Sequence, residues 1–248
     1  MFSKTAGFRH DSIPDGIETV RQLGAEDGFT VDATEDAAAF TADNLARYDA
    51  VVFLSTTGDV LDDTQQAAFE EYIHGGGGYV GVHAAADTEY DWPFYGGLAG
   101  AWFDSHPAIQ QATVTVEDRA NPPPRTWGHL GAHRRVVQLP HQPRERSHVL
   151  ASLDEGSYSG GTMNGDHPIA WCQEYEGGRA FYTGEGHTKE SYAEPAFRQH
   201  LLGGLRYATG RAHADCRAEQ GYHSLFDGTS TDGWRQAGRG PSPSRTGP

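Results

Sequence analysis

The chain is poor in sulfur and in positive charge, and it has no long apolar run. Only two cysteines, Cys172 and Cys216, occur in 248 residues. Two cysteines cannot build a disulfide framework, and a single bridge is neither required nor excluded. Lys and Arg total 19 against 34 Asp and Glu, a formal charge of −15. With no basic stretch to offset that balance, the composition argues against a nucleic-acid partner and against an anionic membrane. No apolar run approaches the ~20 residues that span a bilayer. The opening MFSKTAGFRHDS has no apolar signal region. As written the chain reads as cytoplasmic, or as secreted if a signal peptide has been lost from its start.

What is present suffices for a folded protein. Hydrophobic residues make up 37% and aromatics 11%, and the length suits one large domain with at most a fragment of a second. Strand and helix signals alternate through the first half, which predicts an α/β fold with an open, mainly parallel sheet flanked by helices. IPDGIETVRQLGAEDGF places Ile13, Ile17, Val20 and Leu23 at helical spacing, with Gly24 as its stop. YDAVVFLST carries the continuous apolar run of a strand buried on both faces. LDDTQQAAFEEYIHGGGG is a helix capped by Asp62 or Asp63, with Gly75 beyond its end. HPIAWCQEYEGGRAFYTGEGH predicts two strands around an EGG turn, and EPAFRQHLLGGLRYATG a final helix ended by Gly210.

Thirteen histidines are many for this composition, and their positions matter more than their number. GYVGVHAAAD is a short strand ending on His83. A strand that turns sharply at a single presented side chain resembles the nucleophile elbow of α/β enzymes. His83 and Asp87, four residues apart, either form an imidazole–carboxylate pair for proton transfer or leave His83 bonding only the turn. His106 in DSHP and His187 in GEGHT follow other elements and are candidates for the same crevice. Three imidazoles and a carboxylate also suit zinc or another divalent metal, although no compact H-x-x-x-H spacing is present. No cofactor is certain from these residues, and a divalent metal ion is the one candidate. His10, between Arg9 and Asp11, is placed at the mouth of the site. Glu185 is a second acid or base, or an exposed loop glutamate. His167 before Pro168 either starts a strand or reaches the site. Tyr90, Trp92, Phe94, Tyr95 and Trp102 either stack on a sugar ring or pack the core.

The strand-turn at His83 is similar to that of class I glutamine amidotransferases, whose tip carries cysteine. Here neither cysteine is near, so thiolate attack on glutamine is ruled out. FSKTAGFRHDSI (2–13), GGGYVGVHAAADTEYDWPFYGGLAGAWFDSHP (76–107), HPIAWCQEYEGGRAFYTGEGHT (167–188) and EPAFRQHLLGGLRYATG (194–210) closely resemble the ThuA-like, or trehalose-utilisation, family. That resemblance covers most of residues 1–210 and implies the amidotransferase-like fold without its cysteine. It also implies a role in sugar catabolism, especially of disaccharides oxidised at the 3-position. The expected ligand is therefore a small carbohydrate. His83, Asp87, His106 and His187 are the expected catalytic groups, and His10, Tyr90, Trp92 and Glu185 the expected substrate-binding groups. A non-catalytic sugar-binding module and an inactive pseudo-enzyme are the alternatives.

Two stretches depart from the family pattern. Between Pro122 and Pro143 an acidic, aromatic TDEWYNF-like element is missing. RRVVQLPHQP (134–143) can be encoded so that a one-nucleotide shift reads DEWYNFRTNP, which suggests a pair of compensating frameshifts. The alternative is a divergent surface loop. The segment is expected to be irregular, exposed and weakly packed, leaving the crevice open on one side. YHSLFDGTSTDGWRQAG (222–238) resembles the start of a 3-keto-disaccharide hydrolase jelly roll, and the sequence beyond it again departs from that pattern. The expected organisation is a domain over 1–210, a linker over 211–221 and an incomplete β-domain fragment over 222–248.

Overall fold

The structure, a computed structural model, describes residues 1–118 and 137–218 and the backbone of 133–134. Its strands are β1 (Ala50–Leu54), β2 (Gly78–Val82), β3 (Gln110–Gln111), β4 (Thr113–Val116), β5 (His133–Arg134), β6 (His148–Asp154), β7 (His167–Tyr175) and β8 (Gly178–Thr183). The helices are α1 (Ile13–Asp27), α2 (Ala42–Leu45), α3 (Asp63–His74), α4 (Pro93–Ala99), α5 (Lys189–Ala193) and α6 (Pro195–Ala208).

Six strands form one sheet in the order β1-β2-β8-β7-β6-β4. β1, β2 and β8 run parallel, whereas β8, β7, β6 and β4 pair antiparallel. The sheet is thus mixed rather than mainly parallel, and connection length explains why. β1 reaches β2 through the crossover helix α3, as parallel neighbours require. β7 reaches β8 through a tight turn at Glu176–Gly177, both with positive φ (48° and 94°), and such a turn can join only antiparallel strands. Phe2 adds an extended edge, bridging in parallel to Phe53 and to Thr34.

Alternation along the strands divides the core between the two faces. Val52, Leu54, Val80, Val82 and Phe181 pack with Ile13, Val20, Leu23, Phe197, Leu201 and Leu205 of α1 and α6. On the other face Phe53, Tyr79, Tyr182 and Trp171 pack with Phe69 of α3 and Tyr95 and Leu98 of α4. The fold is therefore a three-layer α/β/α sandwich, which accounts for the unbroken apolar run in β1.

Local signals set most helix ends. Asp62 caps α3 in a reciprocal capping box with Gln65, and Pro195 occupies the first turn of α6. α1 does not stop at Gly24. It continues to Asp27 and ends on Gly28 at φ 76°, because Gly24 serves a different purpose. A Cβ there would stand 2.6 Å from the Phe29 carbonyl oxygen where the chain folds back.

The residues from Val137 onward correct the expected loose segment. Val137, Gln138 and Leu139 are buried. Two apolar side chains enter the core, and Gln138 between them is satisfied by the Gly160 carbonyl and the Thr162 hydroxyl. Its backbone also bridges to Ser105. The rest of the 122–143 expectation, over 122–132 and 135–136, lies outside the described residues, as does the fragment assigned to 222–248. Among the described residues no helix is long and apolar enough to cross a membrane.

Cys172 of β7 and Cys216 form a disulfide across a sequence separation of 44, tying the chain beyond α6 to the middle of the sheet. Closing a loop of this length stabilises by roughly 4 kcal/mol on the chain-entropy account. Reduction, or Cys216→Ser, is expected to lower the thermal midpoint by about 8–16 °C. Thermal melts with and without reductant, with thiols counted by mass, check this; an unchanged midpoint with the bridge opened would refute it.

Candidate functional site

The parallel register of β2 and β8 sets the site. Val82 pairs with Thr183, so the first residues past both strands emerge side by side at their carboxyl ends. In open α/β sheets that edge is where ligands bind. His83 leaves β2 with φ 54°, a left-handed conformation that costs a non-glycine residue about 1–2 kcal/mol. Two groups on the β8 side hold it there. The Tyr182 hydroxyl donates to the His83 carbonyl at 2.7 Å. His83 Nδ1 lies 3.0 Å from the Gly184 carbonyl, which can only accept, so Nδ1 carries the proton and Nε2 presents its lone pair. The next turn carbonyl but one, that of Ala85, accepts from the Tyr95 hydroxyl at 2.7 Å. Gly81 makes this packing possible: a Cβ there would lie 2.6 Å from the Tyr79 hydroxyl and 2.9 Å from the Tyr182 ring. Burial drives the hydroxyls of Tyr79, Tyr95 and Tyr182 up in pKa, so they remain protonated donors.

His83 Nε2 meets two more imidazoles. His10 Nε2 stands 3.1 Å away and His187 Nδ1 2.9 Å away. The three ring centroids are nearly equidistant, at 4.7, 4.9 and 5.0 Å. His83 is 3% exposed and His10 8%; His187 is partly buried. The rings come from three separate segments held by backbone contacts. The loop before His10 docks on Thr57 past β1, where Ala6 N donates to the Thr57 carbonyl at 2.7 Å and Thr57 Oγ1 donates to the Phe8 carbonyl. Ser12 Oγ donates to the Gly186 carbonyl at 3.2 Å, joining the His10 loop to the His187 loop. Among the described residues, these three form the one group of histidines, cysteines and carboxylates arranged to share a metal ion.

A cavity of about 330 Å³ opens over the imidazoles, lined by Phe8, Asp87, Phe103, His106 and Val137 besides the three rings and Ala84. Asp87 is half-buried, and burial raises its pKa above the usual carboxylate range, while the Tyr90 hydroxyl and His106 pull it back down. Tyr90 donates to Asp87 Oδ1 at 2.7 Å. Thus the His83–Asp87 pairing read from the four-residue spacing takes a different form. Both ring nitrogens of His83 are engaged elsewhere, and Asp87 takes its hydrogen bond from Tyr90. The left-handed turn at His83 sends the imidazole toward β8, and the short 3-10 turn His83–Ala86 carries Asp87 to the opposite wall. His106 stands exposed on that wall near Phe103 and outside the imidazole cluster.

The remaining expected residues divide. Trp92 packs in the core against Phe94 and Tyr95, and its Nε1 donates to Glu70, so it does not line the cavity. Tyr95 is fully buried, and Trp102 Nε1 donates to the Thr88 carbonyl. Tyr90 lies exposed at the rim. Glu185 is buried rather than in an exposed loop, beside the loop that carries His187. His167 is buried and supports the site from behind. Its Nε2 donates to the Val137 carbonyl at 2.8 Å, its Nδ1 faces the Tyr158 hydroxyl, and burial lowers its pKa so that the neutral ring is favoured. The sequence reading missed Phe8, Phe103 and Val137. Phe8 is 68% exposed at the cavity mouth, two residues before His10; that proximity in FRH was the available signal.

The ThuA family model, described as trehalose utilisation, matches residues 1–208. Among solved structures, a ThuA-like protein from Bacteroides uniformis superposes with a TM-score of 0.70 at 24% identity, covering 84% of this chain and 89% of that one. One from Parabacteroides merdae gives 0.69 at 19% identity, covering 88% and 96%. A β-galactosidase from Bacillus circulans matches at 0.54 and 11% identity over 85% of this chain and 30% of its own, a likeness of fold alone. No functionally curated protein matches the chain. An imidazole-floored cavity at the parallel strand ends thus sits in the matched region, and the chain belongs to the ThuA, or trehalose-utilisation, family.

Proposed function

We propose that this chain is a carbohydrate-processing enzyme that acts on a sugar oxidised at the 3-position, by acid–base chemistry in the His83 cavity. The observation that carries this reading is a half-buried carboxylate of raised pKa facing three clustered imidazoles across one cavity. A carbonyl at the 3-position acidifies the hydrogens on its neighbouring carbons. Asp87 is the base that would remove one of them. The electron pair moves into a carbon–carbon double bond, and the negative charge settles on the former carbonyl oxygen, which a protonated imidazole of the cluster would stabilise. Return of the proton on the other face, by way of His106, inverts that carbon; departure of the anomeric group as an alcohol, taking the proton back from Asp87 while a C1–C2 double bond forms and the carbonyl is restored, cleaves the glycoside. His106, beside Asp87, is placed to shuttle the proton, and Phe8 and Phe103 offer aromatic faces to a sugar ring. The Cys172–Cys216 bridge favours an oxidising compartment for this chemistry.

The exposed Phe8 also suits a binding module that holds sugar without transforming it. Solvent deuterium separates the two readings. With a 3-keto-disaccharide in heavy water, the intact chain is expected to exchange hydrogen at a carbon beside the keto group, and Asp87→Asn to slow this by about 10²–10⁴-fold. Sugar binding without exchange or product would leave only the binding module.

The pH profile carries a sign. Only ionised Asp87 accepts a proton, so the rate falls on the acid side as pH drops through its raised pKa. Tyr90 lowers that pKa by donating to the carboxylate. In Tyr90→Phe the acid limb is therefore expected to move to higher pH; a limb that stays in place removes Asp87 from the role.

Phe8→Ala tests the stacking face. Loss of one exposed ring is expected to raise KM about tenfold, the equivalent of ~1.4 kcal/mol, with kcat changed less than threefold. A fall in kcat at constant KM would place Phe8 outside substrate binding.

A further inference from the structure

We infer that His10 Nε2, His83 Nε2 and His187 Nδ1 form a three-imidazole site for a divalent transition cation of the zinc type, with a fourth position open to the cavity. This deepens the proposed sugar site and rests on that reading only for what the open position meets.

Proton counting is the first argument. His83 Nδ1 donates to the Gly184 carbonyl, so neutral His83 has one in-plane lone pair, on Nε2. Two other ring nitrogens approach that atom at 3.1 and 2.9 Å. One lone pair accepts well from one N–H, so the second contact is either a shared acceptor or two lone pairs facing each other. A cation at the centre takes a lone pair from each ring at once.

Geometry is the second. Three ligands about 2.1 Å from a tetrahedral ion stand about 3.4 Å apart. The two separations from His83 Nε2, 3.1 and 2.9 Å, need to open by only a few tenths of an ångström, and one nitrogen from each of the three rings lies within 4.8 Å of the others. The near-equal centroid distances arrange the rings around one point rather than in a row.

Orientation is the third. A backbone carbonyl that fixes the non-ligating nitrogen of a histidine is the usual support for a metal ligand, and Gly184 supplies it. The backbone strain at His83 aims that ring at the cluster. An all-imidazole set selects zinc, cobalt, nickel or copper over magnesium and calcium, which require oxygen ligands. Three protein ligands beside a cavity leave a position for water or a substrate oxygen, the arrangement of a catalytic rather than a structural site. In the proposed chemistry that oxygen is the sugar carbonyl, whose polarisation the imidazoles alone supply less strongly.

The full chain, purified without chelator, stripped with dipicolinate and reloaded with zinc chloride, tests this directly. Elemental analysis is expected to give about one zinc per chain, and saturating zinc to raise the thermal midpoint by about 5–10 °C. Cobalt chloride in place of zinc is expected to produce the intense d–d absorption of a four-coordinate site. His187→Ala, in a partly exposed loop, is expected to cut zinc retention at least tenfold with its circular dichroism unchanged. His106→Ala is expected to keep full zinc stoichiometry. Less than about 0.1 zinc per chain after reloading, or full retention in both His10→Ala and His187→Ala, would overturn the inference. Deuterium exchange that persists in the metal-free chain removes the metal's part in the reaction and leaves the acid–base reading intact. Stoichiometric zinc without any action on sugar removes that reading and leaves the site.

Discussion

The site depends on the left-handed backbone at His83. A side chain leaving β2 in the ordinary extended conformation would continue along the sheet. At φ 54° the chain turns instead, and the imidazole swings over the neighbouring strand. The cost of that conformation, about 1–2 kcal/mol, is offset by two buried hydrogen bonds from the same neighbour, each contributing about 1 kcal/mol. One accepts from His83 Nδ1 and the other donates to the His83 carbonyl. Both partners, Tyr182 and Gly184, belong to the β8 side, so the turn is stable only while β2 and β8 hold their parallel register. Strand register and the orientation of the His83 imidazole are here one constraint.

The two halves of the sheet divide the work accordingly. The parallel half, β1, β2 and β8, delivers Thr57, His83 and the His187 loop to a common edge. Among the described residues the antiparallel half delivers no imidazole to the cluster, but it builds a wall. His167 at the start of β7 donates to the carbonyl of Val137, which lines the cavity. Gln138 ties the adjoining backbone to Ser105, close to His106 in sequence. Through Cys172 the same strand is linked covalently to the chain beyond α6. This wall is held by a buried histidine whose neutral form burial favours, and by the hydrogen bonds of the Gln138 side-chain amide.

Much of this was legible in the sequence where the signal is local. The capping box of α3, the Glu176–Gly177 hairpin, the proline start of α6 and the strand ending on His83 each rest on a few adjacent residues. Long-range pairings were not legible. His10 and His187 lie 73 and 104 residues from His83, and no spacing rule joins residues that meet only through sheet order. Its sequence neighbours Arg9 and Asp11 point His10 to the mouth, and the fold brings it to the floor. His106, read as an equal partner of His187, stands on the far wall. Trp92 and Tyr90 share one aromatic stretch, yet the start of α4 turns the first into the core and leaves the second at the rim. Composition cannot make that distinction, because an aromatic ring stabilises a core and a binding face by the same physics. The mixed character of the sheet followed from a visible hairpin whose antiparallel consequence outweighs the alternating strand–helix pattern.

The same long-range arrangement explains why imidazoles and carboxylate are kept apart. A carboxylate bonded to His83 would accept its N–H and draw the proton toward itself, and neither group would then face the cavity unaltered. Gly184 instead fixes the His83 tautomer with a neutral carbonyl, and Tyr90 steadies Asp87 with a neutral hydroxyl. Each site group thus has a second partner that orients it without neutralising it. The cavity separates a floor of three imidazoles from a wall that carries the Asp87 carboxylate, and both line the same space. For a substrate whose carbonyl must be polarised while the adjacent carbon loses a proton, the two groups have to act on different atoms of the same molecule. A direct His83–Asp87 pair would place both on one atom, and the left-handed turn prevents it.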